Sequence, residues 1–186
     1  MKKVISGLLV AILTTGVQAG GTVSVTCGKA PVGVHNNGEL PMVNVSYTTG
    51  GDAGLPGQLW LGVLTPDQDK GAVLASHEWT AYLGGDLLPH ASYEGGLPRV
   101  ITLSVPFPSN GRFDTSGFIG YRIHVGHGAY TKQAQQAVAS RRSTIGASSH
   151  ETNDGQIATL IQRNMVENKK FGALLTVPYI DCALRN

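Results

Sequence analysis

The first two thirds of the chain alternate apolar and polar residues with a period of two, which is typical of strands with one buried face. The clearest case places Val43, Val45 and Tyr47 on one side, with polar residues between them. Clusters of glycine, proline and aspartate separate the alternating segments and predict turns. The pattern predicts seven strands, at residues 22–27, 41–49, 58–64, 72–83, 99–105, 117–130 and 174–180.

The segment 58–64 is apolar on both faces. Leu59, Leu61 and Val63 share one face, and Trp60 lies on the other. A strand of this kind is usually central in its sheet, or covered on its second side by another element. We therefore expect an additional layer over this strand.

The period changes after residue 130, where helix-forming residues predict helices at 131–142 and 156–170. Asp154 is placed to cap the second helix and Gly172 to end it. That helix carries an apolar stripe that must be buried, formed by Ile157, Leu160, Ile161 and Met165. The insertion at about 129–171 therefore either folds back over one sheet or presents a surface to a partner.

Short strands separated by turns, with no βαβ rhythm, indicate a mainly β fold. The prediction is a single domain at residues 20–186, an antiparallel β-sandwich with a two-helix insertion before the last strand. Its layout resembles that of immunoglobulin and fibronectin-III domains. The resemblance is one of layout only, because the Cys-Trp-Cys core of immunoglobulin domains is absent.

Residues 1–19 have the features of a signal peptide. Lys2 and Lys3 precede a short apolar run, and a small-x-Ala sequence ends at Ala19. The apolar run is too short and too interrupted to span a bilayer, and no later segment is long enough. We expect an exported bacterial protein, periplasmic or secreted, with no membrane span after signal removal.

Cys27 and Cys182 are the two cysteines of the chain. In an oxidising compartment such a pair predicts a disulfide. The bond would close nearly the whole mature chain into one loop, worth about 5 kcal/mol on the chain-entropy model. It also requires the first and last strands to lie close together.

The charge balance argues against a general affinity for nucleic acid. Removing Lys2 and Lys3 from the 14 basic residues leaves 12 against 12 acidic residues. The helical insertion is more basic than the rest, which indicates a solvated face or a surface for a protein partner in the envelope. The candidate partner surface consists of His127, Tyr130, Arg141, Arg142, Arg163, Lys169 and Lys170.

The chain contains none of the short motifs that carry hydrolase, nucleotide or zinc chemistry, so we predict no catalytic residues and no cofactor. His124 and His127 are the closest histidine pair. Residues three apart on a strand point to opposite faces, which is poor geometry for chelation. A metalloprotein or hydrolase using these two residues remains an alternative, and exposed histidines at a strand end the simpler interpretation. His77 is predicted on an apolar face with Trp79.

A second alternative is a carbohydrate-binding module. Trp60, Trp79 and Tyr82 could form an aromatic platform for sugar rings, although packing in the core is the simpler explanation, because both tryptophans lie in apolar alternating strands. The absence of catalytic motifs and the basic insertion favour a different function. We expect an exported, non-catalytic binding or structural protein, an accessory component of a bacterial envelope or surface assembly such as a pilus, secretion or adhesion complex.

Overall fold

The computed structural model describes residues 19–29, 39–109, 112–146 and 152–183. The predicted signal peptide, up to residue 18, lies outside the described residues. The described chain forms nine strands and two α-helices. In order they are β1 (Gly20–Lys29), β2 (Glu39–Thr48), β3 (Gly57–Leu64), β4 (Gly71–Ala75), β5 (Glu78–Tyr82), β6 (Ala91–Tyr93), β7 (Val100–Pro106), β8 (Arg122–Ala129), α1 (Lys132–Ile145), α2 (Asp154–Glu167) and β9 (Phe171–Thr176).

The strands form two sheets, and all their pairings are antiparallel. One sheet has the order β1-β2-β7, and the larger one the order β5-β4-β3-β8-β9, with β6 also pairing with β3. The predicted mainly β class is confirmed, and both helices precede the last strand as predicted.

A shared apolar core joins the two sheets. The predicted inward residues Val43, Val45 and Tyr47 of β2 are buried in it, and Ile101 of β7 joins them. From the larger sheet come Leu59, Leu61, Val63, Leu74, Ile123 and Val125. Each such side chain gains about 1.5–3 kcal/mol from burial, so this core is the main source of stability.

Helix α2 covers the second face of β3, as the doubly apolar pattern of that strand predicted. Trp60 packs there against Ile161 and Met165 of α2. Its indole N–H donates to the carbonyl oxygen of Leu87 at 3.0 Å. Helix α2 therefore folds back over the larger sheet and buries Ile161 and Met165 of its apolar stripe.

Glycine allows α2 to approach the sheet closely. Gly128 of β8 lies directly beneath the helix, and a Cβ at this position would collide with the carbonyl oxygen of Ile161. Gly126 is opposite Phe171 in the strand register, and a Cβ there would collide with the carbonyl oxygen of Lys170 and with Phe171. The glycines of β8 thus allow both α2 and the chain entering β9 to approach this strand closely.

The predicted disulfide between Cys27 and Cys182 is confirmed. The two Cα atoms are 5.5 Å apart, within the range that a disulfide needs. Cys27 lies in β1, and Cys182 follows β9, where its backbone N–H donates to the carbonyl oxygen of Phe113 at 2.7 Å. The bond joins the two ends of the domain.

The single strand predicted at 72–83 is wrong, because the chain reverses at Ser76 and His77. Both residues have positive φ angles, 54° and 121°, and Ala75 pairs with Glu78 across a two-residue turn. Such turns usually contain Gly or Asn, and neither residue is present here to indicate a turn. His77 is consequently exposed rather than on an apolar face.

Three element boundaries also differ from the predictions. The strand predicted at 117–130 begins only at Arg122, because Ser116–Phe118 form a 3₁₀ turn and Gly120 adopts a φ of 84°. The last strand is shifted toward the N-terminus, so Tyr179 is exposed. Helix α2 is capped by Asn153, whose side chain accepts from the N–H of Gln156, and not by Asp154.

Helix α2 ends three residues earlier than expected. The predicted stop at Gly172 is wrong, because Gly172 lies within β9. The chain leaves the helix at Lys169, which has a φ of 51°, and the N–H of Lys170 donates to the carbonyl oxygen of Met165. No helix among the described residues has both the length and the hydropathy needed to cross a bilayer.

Candidate functional site

A polar cluster lies at the base of the helical insertion. His127 of β8 is fully buried, and its Nε2–H donates to Oδ2 of Asp52 at 2.8 Å. A hydrogen bond of 3.0 Å joins the other ring nitrogen, Nδ1, to the hydroxyl of Tyr47. The ammonium of Lys170 pairs with the same Asp52 oxygen. The cluster connects β2, the turn after it, β8 and the start of β9.

The pKa values of the cluster follow from burial and from these contacts. The hydrogen bond from His127 is the largest cause of the lowered pKa of Asp52, and the hydrogen bond and charge of Lys170 act in the same direction. Burial, with a smaller contribution from the charge of Asp52, raises the pKa of Tyr47 to about 12. At neutral pH Asp52 is therefore ionised and Tyr47 is a neutral phenol.

The cluster resembles the catalytic triad of enzymes that use a nucleophilic hydroxyl, because the carboxylate of Asp52, the imidazole of His127 and the hydroxyl of Tyr47 are hydrogen-bonded in that order. Here the hydroxyl belongs to Tyr47, which is 2% exposed and also within hydrogen-bond distance, 3.2 Å, of the carbonyl oxygen of Lys170. A buried phenol with a raised pKa is a poor nucleophile. The contacts instead make the cluster an anchor that holds the end of the insertion against the two sheets.

Asn164 of α2 extends this anchor to the helix. Its side-chain oxygen accepts hydrogen bonds from the ammonium of Lys170 at 2.8 Å and from the backbone N–H of Ala129 at 3.1 Å. The anchor thus fixes the C-terminal half of α2 to the end of β8. The N-terminal half of α2 makes none of these hydrogen bonds and borders an open space.

That space is a groove of about 500 Å³ between α2 and the edge of the larger sheet, which we call the α2 groove. Ile157, Ala158 and Ile161 of the helix form one wall. The opposite side comes from the ends of β3, β6 and β8, with the segment before β3. Its lining residues are Pro56, Gly57, Gln58, Ser92, Tyr93, Glu94 and Tyr130, and Asp154 stands at the helix N-terminus.

The α2 groove combines aromatic, amide and acidic groups. Tyr93 and Tyr130 are partly buried, and burial raises the pKa of both phenols, so both are neutral donors and acceptors at neutral pH. The side chain of Gln58 donates to the hydroxyl of Ser92 at 3.2 Å. Glu94 and Asp154 place two carboxylates at its border, which favours a ligand with a positive charge.

The structure separates the residues of the predicted partner surface. Tyr130 lines the α2 groove, and Arg163 and Lys169 are exposed. Arg142 donates from Nε and a terminal nitrogen to the carbonyl oxygen of Thr152, at 3.1 Å and 2.6 Å. Arg141, although exposed, has an interaction partner. His127 is buried, and the partly exposed Lys170 pairs with Asp52, so both residues belong to the polar cluster.

His124 and His127 do not form a chelating pair. The structure places them on opposite faces of β8, where His124 stacks on Phe171 and His127 contacts Tyr47. Their expected exposure at a strand end is wrong, since both are buried. Burial, with a smaller contribution from the charge of Arg122, lowers the pKa of His124 to about 4. Among the described residues, no group of three or more histidine, cysteine, aspartate or glutamate residues is placed to hold a metal ion.

The three aromatic residues of the carbohydrate alternative do not form a platform. Trp60 is 2% exposed and lies beneath α2. Trp79 packs against the shared core and donates its indole N–H to the carbonyl oxygen of Pro106 at 2.7 Å. Tyr82 donates to the carbonyl oxygen of Gly85 in the loop after β5. Both tryptophans are packing residues.

No family model, no curated protein and no solved structure matches this chain. The candidate sites therefore rest on their own geometry. Sequence reasoning missed Asp52, which lies in a predicted turn without a motif, and the groove residues Tyr93 and Glu94, which lie in a segment predicted to be irregular. Only their contacts across the fold reveal these residues.

Proposed function

We propose that this protein is an exported, non-catalytic binding protein, an accessory component of a bacterial envelope or surface assembly that holds a segment of a protein partner in the α2 groove. The observation that carries the proposal is the groove itself. Its volume of about 500 Å³ lies within the range of ligand-binding clefts. Its lining combines apolar walls with a few polar groups, as such clefts do.

The lining specifies the chemistry of the partner segment. Ile157 and Ile161 offer an apolar wall, and the phenols of Tyr93 and Tyr130 offer amphipathic contacts of the kind enriched at interfaces. The carboxylates of Glu94 and Asp154 favour a lysine or arginine on the ligand. We infer a partner segment that carries an apolar side chain next to a basic one.

Two further observations support the proposal. The disulfide between Cys27 and Cys182 is typical of proteins that fold in an oxidising compartment, which fits export to the periplasm or beyond. The triad-like cluster ends in the buried, neutral phenol of Tyr47, which fits an anchoring role and not hydrolysis.

The substitution Ala158→Trp tests the α2 groove. Ala158 lies in its helical wall, so an indole there should fill the cavity and lower recovery of the partner on affinity capture from the native envelope by about tenfold or more, a change of about 1.4 kcal/mol. The matched control is Ala81→Trp, on an exposed position of β5 outside the groove.

A second variant tests whether the partner binds the exposed basic residues and not the α2 groove. Reversing the charges of Arg163 and Lys169 should leave capture of the same partner intact. Loss of capture in that charge-reversed variant, together with full capture by Ala158→Trp, would move the partner surface to the basic face and contradict the groove.

A further inference from the structure

The two sheets are closed against each other on one side and open on the other. On the closed side β1 and β9 lie against each other, and the disulfide joins β1 to the segment after β9. On the open side β7 pairs with β2 alone among the described residues. In the part of the chain that the structure describes, the larger sheet is five strands wide and the smaller one three, so β4 and β5 extend past β7. The free edge of β7 therefore borders a step between the two sheets.

Apolar side chains are incompletely covered at this step. Leu103 and Val105 of β7 pack against the shared core, yet both are only partly buried. Trp79 of β5 is also partly buried, and its indole N–H donates to the carbonyl oxygen of Pro106 at the end of β7. Leu83, which directly follows β5, is 85% exposed. One additional strand beside β7 would cover much of this apolar surface.

The sequence of β7 does little to prevent pairing with another strand. Edge strands are usually protected by being short, by charged side chains or by a bulge. β5 has five residues and includes Glu78, and the pairing of β8 with β9 contains a register shift. The seven residues of β7 include no charged side chain, and the proline among them is the last residue. The free edge of β7 therefore offers its backbone N–H and C=O groups to a further strand.

A basic pocket lies at the start of β7. It has a volume of about 290 Å³, and its lining residues are Thr48, Gly50, Gly51, Arg99 and Val100. Arg99 is exposed and supplies the only charge among these lining residues. Val100 is 48% exposed and adds an apolar surface. The pocket therefore favours an acidic side chain on a ligand that lies along β7.

We propose that the free edge of β7 binds an extended segment of a partner protein by strand addition, with an acidic side chain of that segment in the pocket beside Arg99. Backbone hydrogen bonds to β7 supply the affinity, and alternate side chains supply the specificity. Every second side chain of the segment faces the step and is apolar, while the others face solvent. Antiparallel addition, the arrangement of the other strand pairs, places the acidic residue at the C-terminal end of the segment.

A second copy of this chain does not fit the same edge. Antiparallel pairing of β7 with β7 of another copy follows a two-fold axis perpendicular to the joined sheet, which places both larger sheets on the same side. Because β4 and β5 extend past β7, these strands of the two copies would occupy the same space. The β7 edge is also separate from the α2 groove, since the two pockets share no lining residue. The inference therefore does not depend on the proposed function.

Binding of a synthetic peptide to the purified exported protein tests the β7 edge. The probe is a fluorescent, amidated peptide of about eight residues in which valine alternates with threonine before a C-terminal aspartate. We expect saturable binding by fluorescence anisotropy. In an antiparallel pair, alternate residues direct their N–H groups to the same partner strand. N-methylation of the amides that face β7 should therefore weaken binding by at least about tenfold, while N-methylation of the other set should leave the affinity unchanged.

A charge exchange tests the pocket beside Arg99. Arg99→Glu should weaken binding of the aspartate peptide by at least about tenfold and strengthen binding of the same peptide with lysine in place of aspartate. The controls are Arg163→Glu, at an exposed position of α2, and Ala158→Trp, which fills the α2 groove, and both should keep the wild-type affinity. Equal binding of the two methylated peptides would overturn the proposal, and so would equal binding by Arg99→Glu and the wild type. Loss of binding in Ala158→Trp, or no binding up to about 1 mM peptide, would also contradict it.

Discussion

Replacing both Cys27 and Cys182 with serine should lower the free energy of unfolding by about 3–5 kcal/mol, because the disulfide closes a loop spanning 155 positions and restricts the unfolded chain. Small domains have only about 5–15 kcal/mol of stability in total, so this is the largest single effect that we expect. Urea titration of the oxidised wild type and of the double-serine variant measures it.

Because of the position of β1, loss of the disulfide should also destabilise the native state. Among the described residues β1 is an edge strand that pairs with β2 alone, and the disulfide fastens it to the segment after β9. The wild type under reducing conditions is the control and should match the double-serine variant. A difference below about 1 kcal/mol between oxidised and reduced wild type would contradict this account.

Replacing Asp52 with asparagine should cost about 1.5–3 kcal/mol at neutral pH, because Asp52 accepts charge-assisted hydrogen bonds from His127 and Lys170. The lower half of that range is the better expectation, since both Asp52 and Lys170 are partly exposed and solvent weakens their attraction. Chemical denaturation of the variant and the wild type at pH 7 gives the difference.

The same variant should show a characteristic pH dependence. The folded-state pKa of Asp52 is lower than its unfolded value of about 3.9, so its contribution is complete above that value and is lost as the pH falls through the folded pKa. The stability gap between wild type and Asp52→Asn should therefore shrink below about pH 4. The exposed Asp86→Asn is the control and should show little gap at any pH. A gap for Asp52→Asn that stays constant down to pH 3 would exclude this role for the carboxylate.

The class of fold and its main core could be predicted from the sequence because alternation is a local signal. Val43, Val45 and Tyr47 face inward since every second residue must, whatever the rest of the chain does. The disulfide could be predicted because the chain has two cysteines, so each has one possible partner. The apolar residues on both faces of β3 predicted that another element covers this strand, but they did not identify that element as α2.

Features that depend on contacts between distant residues could not be predicted. Asp52 and His127 are 75 positions apart, and nothing near either residue in the sequence indicates that they meet. The turn at Ser76 and His77 lacks glycine, so the alternation of 72–83 continued across it without a visible break. The short strand β6 has three residues, too few for a periodic pattern.

The predicted partner surface also depended on contacts between residues that are distant in the sequence. Arginines and lysines of the insertion look alike in sequence, yet Lys170 pairs with Asp52 in the polar cluster while Arg163 and Lys169 are exposed. The α2 groove could not be predicted because it exists only once α2 rests on Gly128 and β6 joins β3. Of the predicted surface residues, Tyr130 alone lines the groove.

Photo-crosslinking in the native host tests whether a partner segment lies in the α2 groove. A photoreactive phenylalanine at Tyr130, inside the α2 groove, is compared with the same residue at Tyr179, which is 59% exposed and does not line the groove. We predict a crosslink to one envelope protein from position 130, lost when Ala158→Trp is added, and none to that protein from position 179. Crosslinks from position 179 with none from position 130 would contradict a partner held in the groove.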